Sequence, residues 1–157
     1  MKKRLLLLAL IPLFLTSCSK GMIRYGVKPY IEVEHVEIGE IKTLLPSEIK
    51  AKMENKESFP LFLQMTNCSA CKYAKENYIY PFLETNPIIL YSINSDEIRS
   101  NEQEKEIYVE LTKPFKNVTS EGERFVPYMS IIDDGEFKNG ERDMRFFTTI
   151  LEAYLVL

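Results

Sequence analysis

The residues that most constrain the fold of this chain are Asn67-Cys68-Ser69-Ala70-Cys71-Lys72, because of what flanks them. Upstream, Phe59 to Thr66 is an apolar run with one proline near its start, the pattern of a buried strand. Downstream, Tyr73, Ala74, Asn77 and Tyr78 recur at helical spacing. Two cysteines three residues apart therefore fall between a strand and a helix, in the first turn of that helix. Pro81 should kink or stop the helix, since it lacks an N–H and clashes with the preceding turn.

The rest of the chain supplies the setting. Pro46 to about Asn55 reads as a helix, with Leu45, Ile49 and Met53 as its apolar stripe. Ile88 to Ile93, opened by Pro87, is a second buried strand. Asp96 to Leu111 reads as a weakly amphipathic, largely exposed helix, and residues 112–125 as a loop. Phe125 to Ile132 begins a strand, Asp133-Asp134-Gly135 turns it, and Glu136 to about Glu141 returns. Phe146, Phe147, Ile150, Leu151 and Tyr154 mark a closing helix. Helix and strand alternate first and a hairpin comes last. This order predicts an α/β fold: a mixed sheet of about four strands with helices on both faces.

The N-terminus reads as an address. Lys2-Lys3-Arg4 precedes an apolar run of 11 residues, Leu5 to Leu15. As a helix that run would reach roughly 17 Å, short of the ~30 Å hydrocarbon core of a bilayer. It has the shape of a secretory signal. The run ends in Leu15-Thr16-Ser17-Cys18, which resembles the lipobox of bacterial lipoproteins. The resemblance implies a signal peptide over residues 1–17 and a lipid-bearing Cys18. Residues 18–37 would then tether a domain over 38–157 to the extracytoplasmic face of a membrane. Lipidation also accounts for the odd one among three cysteines. Losing the three basic residues of the head takes the net charge from -3 to -6. A charge of that sign argues against nucleic acid as a partner.

With its Cys-x-x-Cys at a strand-to-helix junction, the domain resembles the thioredoxin-like superfamily. A second mark is Val126-Pro127 at the head of the hairpin. The resemblance implies that Cys68 and Cys71 are catalytic, that Pro127 is cis, and that Val126 and Pro127 face the cysteines and bind substrate. Tyr128, next to that proline in sequence, is a further candidate for substrate contact. It implies thiol–disulfide exchange with exported protein substrates and a redox partner, and no cofactor. The chain departs from the family in having Asn67 where thioredoxins place Trp, and Ser69-Ala70 between the cysteines rather than Gly-Pro. Phe62 stands where thioredoxin has a buried acid.

The chemistry follows from the placement. A thiolate is the attacking species, and the unpaired N–H groups that open a helix favour it. Cys68 should therefore lie exposed at the helix start, with Cys71 one turn inward on the same face. Other readings stay open. The pair could be a structural disulfide, or the domain a non-catalytic scaffold that binds a peptide or carries a metal. A zinc site needs four ligands, and only His35 and Cys18 remain as further soft donors.

Overall fold

The structure, a computed structural model, describes residues 38–115 and 125–157. The expected signal peptide, the lipid-bearing Cys18 and the tether over 18–37 lie outside the described residues, as does most of the 112–125 loop.

Five strands form one sheet: β1 (Glu40–Thr43), β2 (Phe59–Gln64), β3 (Ile89–Asn94), β4 (Tyr128–Asp133) and β5 (Glu136–Glu141), in the order β1-β3-β2-β4-β5. β1 and β2 both pair with β3 in parallel, while β4 runs antiparallel to β2 and to β5. The mixed α/β sheet is as expected, but it has one strand more than the four read from the sequence. The extra strand is β1, whose Glu40-Ile41-Lys42-Thr43 carries only one residue that packs against the core, Ile41. Its pairing to β3, from Glu40 opposite Ile89 to Thr43 opposite Ser92, makes it a strand.

β2 and β3 lie in the middle of the sheet and are buried over almost their whole lengths. This is why they read as continuous apolar runs rather than as alternating ones. Pro60 is tolerated in β2 because the parallel register with β3 starts at Leu61, one residue later.

The side-chain period of two sorts the core into two layers. Phe59, Leu61, Leu63, Tyr91, Ile93, Tyr128 and Ile132 point to one face of the sheet, under α1 (Pro46–Glu54) and α4 (Glu102–Leu111). Phe62, Leu90, Met129 and Ile131 point to the other. That face is covered by α2 (Ser69–Ala74), α3 (Tyr80–Leu83) and α5 (Phe147–Tyr154). Helices on both faces agree with the sequence reading.

Two helices differ from it. Asp96 to Leu111 is not one helix: α4 starts at Glu102, where the Asn101 side chain accepts the Glu104 N–H at 3.2 Å. Pro81 does not stop the cysteine-bearing helix, but the regular α form is broken just before it. A π turn over Lys75–Ile79 joins α2 to α3, and the Tyr80 N–H donates to the Lys75 carbonyl. The wider turn absorbs the mismatch, and Pro81 falls in the first turn of α3, where its missing N–H is least costly. At the hairpin, Asp134 and Gly135 have φ of 53° and 74°. This is the double left-handed conformation that Asp-Gly favours in a two-residue turn.

Candidate active site

The loop that delivers Cys68 is tied down before the helix begins. Gln64 ends β2, and its carbonyl accepts the Ser95 N–H at 2.9 Å. The Thr66 N–H donates to the Asp96 carboxylate at 2.9 Å, and Asn94 Nδ2 donates to Thr66 Oγ1 at 2.9 Å. Three bonds from Asn94, Ser95 and Asp96 thus hold Gln64 and Thr66 in the stretch before Cys68. Asp96, which reads as the start of an exposed helix, instead holds this loop.

Cys68 is the N-cap residue of α2. Its Sγ accepts the Cys71 N–H at 3.0 Å, and its carbonyl accepts the Lys72 N–H at 3.0 Å. Sulfur here takes the place that a Ser or Asp oxygen usually fills at a helix start. The pair is joined as a disulfide, with Cα atoms 5.2 Å apart. Cys71 is buried at 1% exposure against Phe62, Ala74 and Met129. Cys68 is half-buried and packs on the same cluster. It is less exposed than the sequence reading expected, because it packs against the apolar layer that buries Cys71.

The Val126–Pro127 peptide bond is cis. Tyr128 pairs with Leu63 across β4 and β2, so Val126 and Pro127 sit at the sheet end from which the Cys68 loop leaves. Val126 is half-buried and packs on both layers, the one that holds Cys71 and Cys68 and the one opposite. Pro127 is buried.

Tyr128 is placed elsewhere. At 2% exposure it lies on the opposite face of the sheet, its ring stacked on Phe115 at 4.9 Å between centroids. Its hydroxyl is pushed up to about 12, first by burial and then by the charge of Glu141. The expected substrate contact through Tyr128 is therefore not available from the surface. Alternation along β4 turns the ring away from the cysteines, which adjacency in sequence does not reveal.

Two features were not singled out from the sequence. The first is a line of polar side chains on the Cys71 face. Lys75 Nζ donates to Gln64 Oε1 at 3.0 Å, and Gln64 Nε2 donates to Ser92 Oγ at 3.1 Å. Ser92 Oγ lies 2.9 Å from Thr43 Oγ1. Lys75 stands four residues after Cys71, and Gln64 two residues after Phe62, so helix and strand periods could have pointed to both. The second is Phe125, next to Val126, whose half-exposed ring lies 4.1 Å from the Arg142 guanidinium carbon.

No protein-family model matches the chain, and no curated protein matches it. Solved structures do. A chain in the complex of ferredoxin:thioredoxin reductase and thioredoxin f2 is 15% identical with a TM-score of 0.52; the match covers 77% of this chain and 97% of that one. The short form of thioredoxin f from spinach chloroplast is 18% identical, covering 76% and 94%, with a TM-score of 0.49. A DsbH oxidoreductase is 13% identical, covering 75% and 86%, with a TM-score of 0.46. At these identities the likeness concerns shape. The five-stranded mixed sheet, the helices on both of its faces and the cis proline opposite the strand-to-helix junction together make this a thioredoxin-like fold that carries a Cys-x-x-Cys pair.

Proposed function

We propose that this chain is a membrane-anchored, extracytoplasmic thiol–disulfide oxidoreductase that acts on exported proteins through Cys68 and Cys71. One observation carries the reading: the Cys68 sulfur sits at the start of the helix and accepts the Cys71 N–H at 3.0 Å. Once the pair is reduced, the same N–H is aimed at the Cys68 thiolate and favours it over the thiol.

Cys68 would attack a substrate disulfide, and Cys71 would resolve the mixed disulfide, leaving the pair oxidised. Run in reverse, the same steps oxidise a dithiol. Val126 and Pro127, at the same end of the sheet, would line the approach of the substrate chain. The anchoring reading rests on residues 1–18, where a basic head, a short apolar run and a lipobox-like tetrapeptide coincide.

The test is Cys71→Ser expressed in cells. The variant is expected to accumulate mixed disulfides through Cys68 that a reductant releases. No such adducts, together with a reduced wild-type chain that fails to reduce insulin, would sink the reading in favour of a non-catalytic scaffold. The midpoint potential of the pair then sets the direction. A value of about -270 mV marks a reductase and one of about -120 mV an oxidant.

A further inference from the structure

Cys71 is buried among Phe62, Ala74, Met129 and Phe147, and a thiol in apolar surroundings gives up its proton reluctantly. Its resolving role nevertheless needs a thiolate. The groups around it narrow the choice of what helps. β2, β3 and β4 present Phe62, Gln64, Leu90, Ser92, Met129 and Ile131 to this layer, none of which ionises. The π turn and α5 bring Tyr78 and Tyr154 to the edge of the layer. Tyr154 Oη donates to the Ser58 carbonyl at 3.3 Å, at the opposite end of β2 from the cysteines. Lys72 is largely exposed and lies 3.8 Å from Glu76. Arg145, next to Met144 of the same layer, is exposed and paired with Asp143. A tyrosine hydroxyl carries no positive charge, so among the described residues of these elements Lys75 is the cation that is left.

Lys75 is one helical turn from Cys71, since its N–H donates to the Cys71 carbonyl. The two side chains therefore share a helix face. That face is turned to the sheet, because Cys71 is buried there and Lys75 Nζ reaches Gln64 Oε1 on β2 at 3.0 Å. Gln64 is 8% exposed and is itself held by Ser92, so the ammonium is gripped by a neutral group fixed from behind. A carboxylate in place of Gln64 would cancel the charge; an amide orients it and leaves it unneutralised.

Building on the redox reading above, we propose that Lys75, oriented by Gln64, is the electrostatic partner that makes the buried Cys71 thiolate accessible in the resolving step. In that step Cys71 gives its proton to water, and its thiolate attacks Cys68 Sγ. The Cys71–Cys68 bond forms as the bond from Cys68 to the substrate sulfur breaks. The substrate leaves as a thiolate that takes a proton from water. The cysteine pair loses the two electrons that the substrate disulfide gains. Lys75 transfers no atom: it lowers the free energy of the charged sulfur, and Gln64 is a positioning residue.

The experiment follows a reduced full chain carrying Cys18→Ser with 5,5′-dithiobis(2-nitrobenzoate) in stopped flow between pH 5 and 9. Two releases of thionitrobenzoate are expected, the first from attack by Cys68 and the second from resolution by Cys71. Lys75→Met should slow the second roughly tenfold at pH 7 and move its pH midpoint up by about one unit, leaving the first unchanged. Lys75→Arg should restore the second phase, which a purely structural role would not require. Gln64→Leu should give an intermediate shift. Lys72→Met should change neither phase. A second phase of wild-type rate and midpoint in Lys75→Met would overturn the proposal, as would an equal effect of Lys72→Met. Absence of the first phase in the parent chain would instead overturn the redox reading on which this rests.

Discussion

The two faces of the sheet are built to different rules. Under α1 and α4 the layer is aromatic and closed: Phe59 meets Tyr91 edge-on at 5.4 Å, and Phe115 stacks on Tyr128. Its buried carboxylate, Glu104, is consumed locally. Glu104 Oε2 accepts the Ser47 N–H at 2.9 Å and Oε1 accepts the Ser47 hydroxyl at 2.6 Å, which closes the start of α1. Under α2 and α5 the layer holds the sulfur pair, and its polar line ends on a cation held by a neutral amide. A buried charge matched by its own cap stabilises a helix and has no field to spare. One held by a dipole can act on a neighbour. The difference separates scaffold from site within one 157-residue chain.

The comparison can be broken or sharpened by substitution. The largest effects are expected at Phe59 and Phe62, both at most 2% exposed and on opposite faces. Replacing either by Ala should cost about 3–5 kcal/mol in urea unfolding, from lost burial plus a cavity. Only Phe62→Ala should also change the alkylation rate of Cys71; equal changes from both would erase the distinction between the faces.

A smaller loss, about 1–3 kcal/mol, is expected for Glu104→Ala, which strands the Ser47 N–H and hydroxyl. The pH profile of the cysteine pair should stay that of the wild type.

The smallest effect concerns Tyr128. Its hydroxyl titrates near 10 when exposed and is pushed up to about 12 in the fold, chiefly by burial. A raised value means that the unfolded chain loses this proton first. The stability tied to the neutral hydroxyl is therefore complete below pH 10 and is lost as pH climbs through 12. Tyr128→Phe should flatten that part of the decline in urea midpoint between pH 10 and 12. An unchanged slope would mean that the ring is wetter than its packing shows.

Much of this architecture is legible in local pattern. β2 and β3 stand out because strands buried on both faces must be apolar throughout. The hairpin stands out because Asp134-Gly135 suits two positive φ angles. The cysteine pair announces itself by spacing. Other features depend on partners distant along the chain. β1 is a short edge strand whose identity comes from β3, almost fifty residues on. Asp96 and Asn94 look like solvated polar residues until the fold brings Thr66 against them. Tyr128 adjoins Pro127 in sequence but turns its ring to the other side of the sheet.

What the sequence determined by itself is the order of elements, the α/β class and the position of two sulfurs at a strand-to-helix junction, because periodicity, proline and glycine act over a few residues. What only the tertiary structure decided is which polar side chains gather on the face of the sheet that carries Cys71. Lys75, Gln64, Ser92 and Thr43 are scattered over half the domain and meet only when β1, β2 and β3 pair and the helix docks on them. Electrostatic influence depends on distance in space and on exclusion of water, and neither is written in the spacing of residues along the chain.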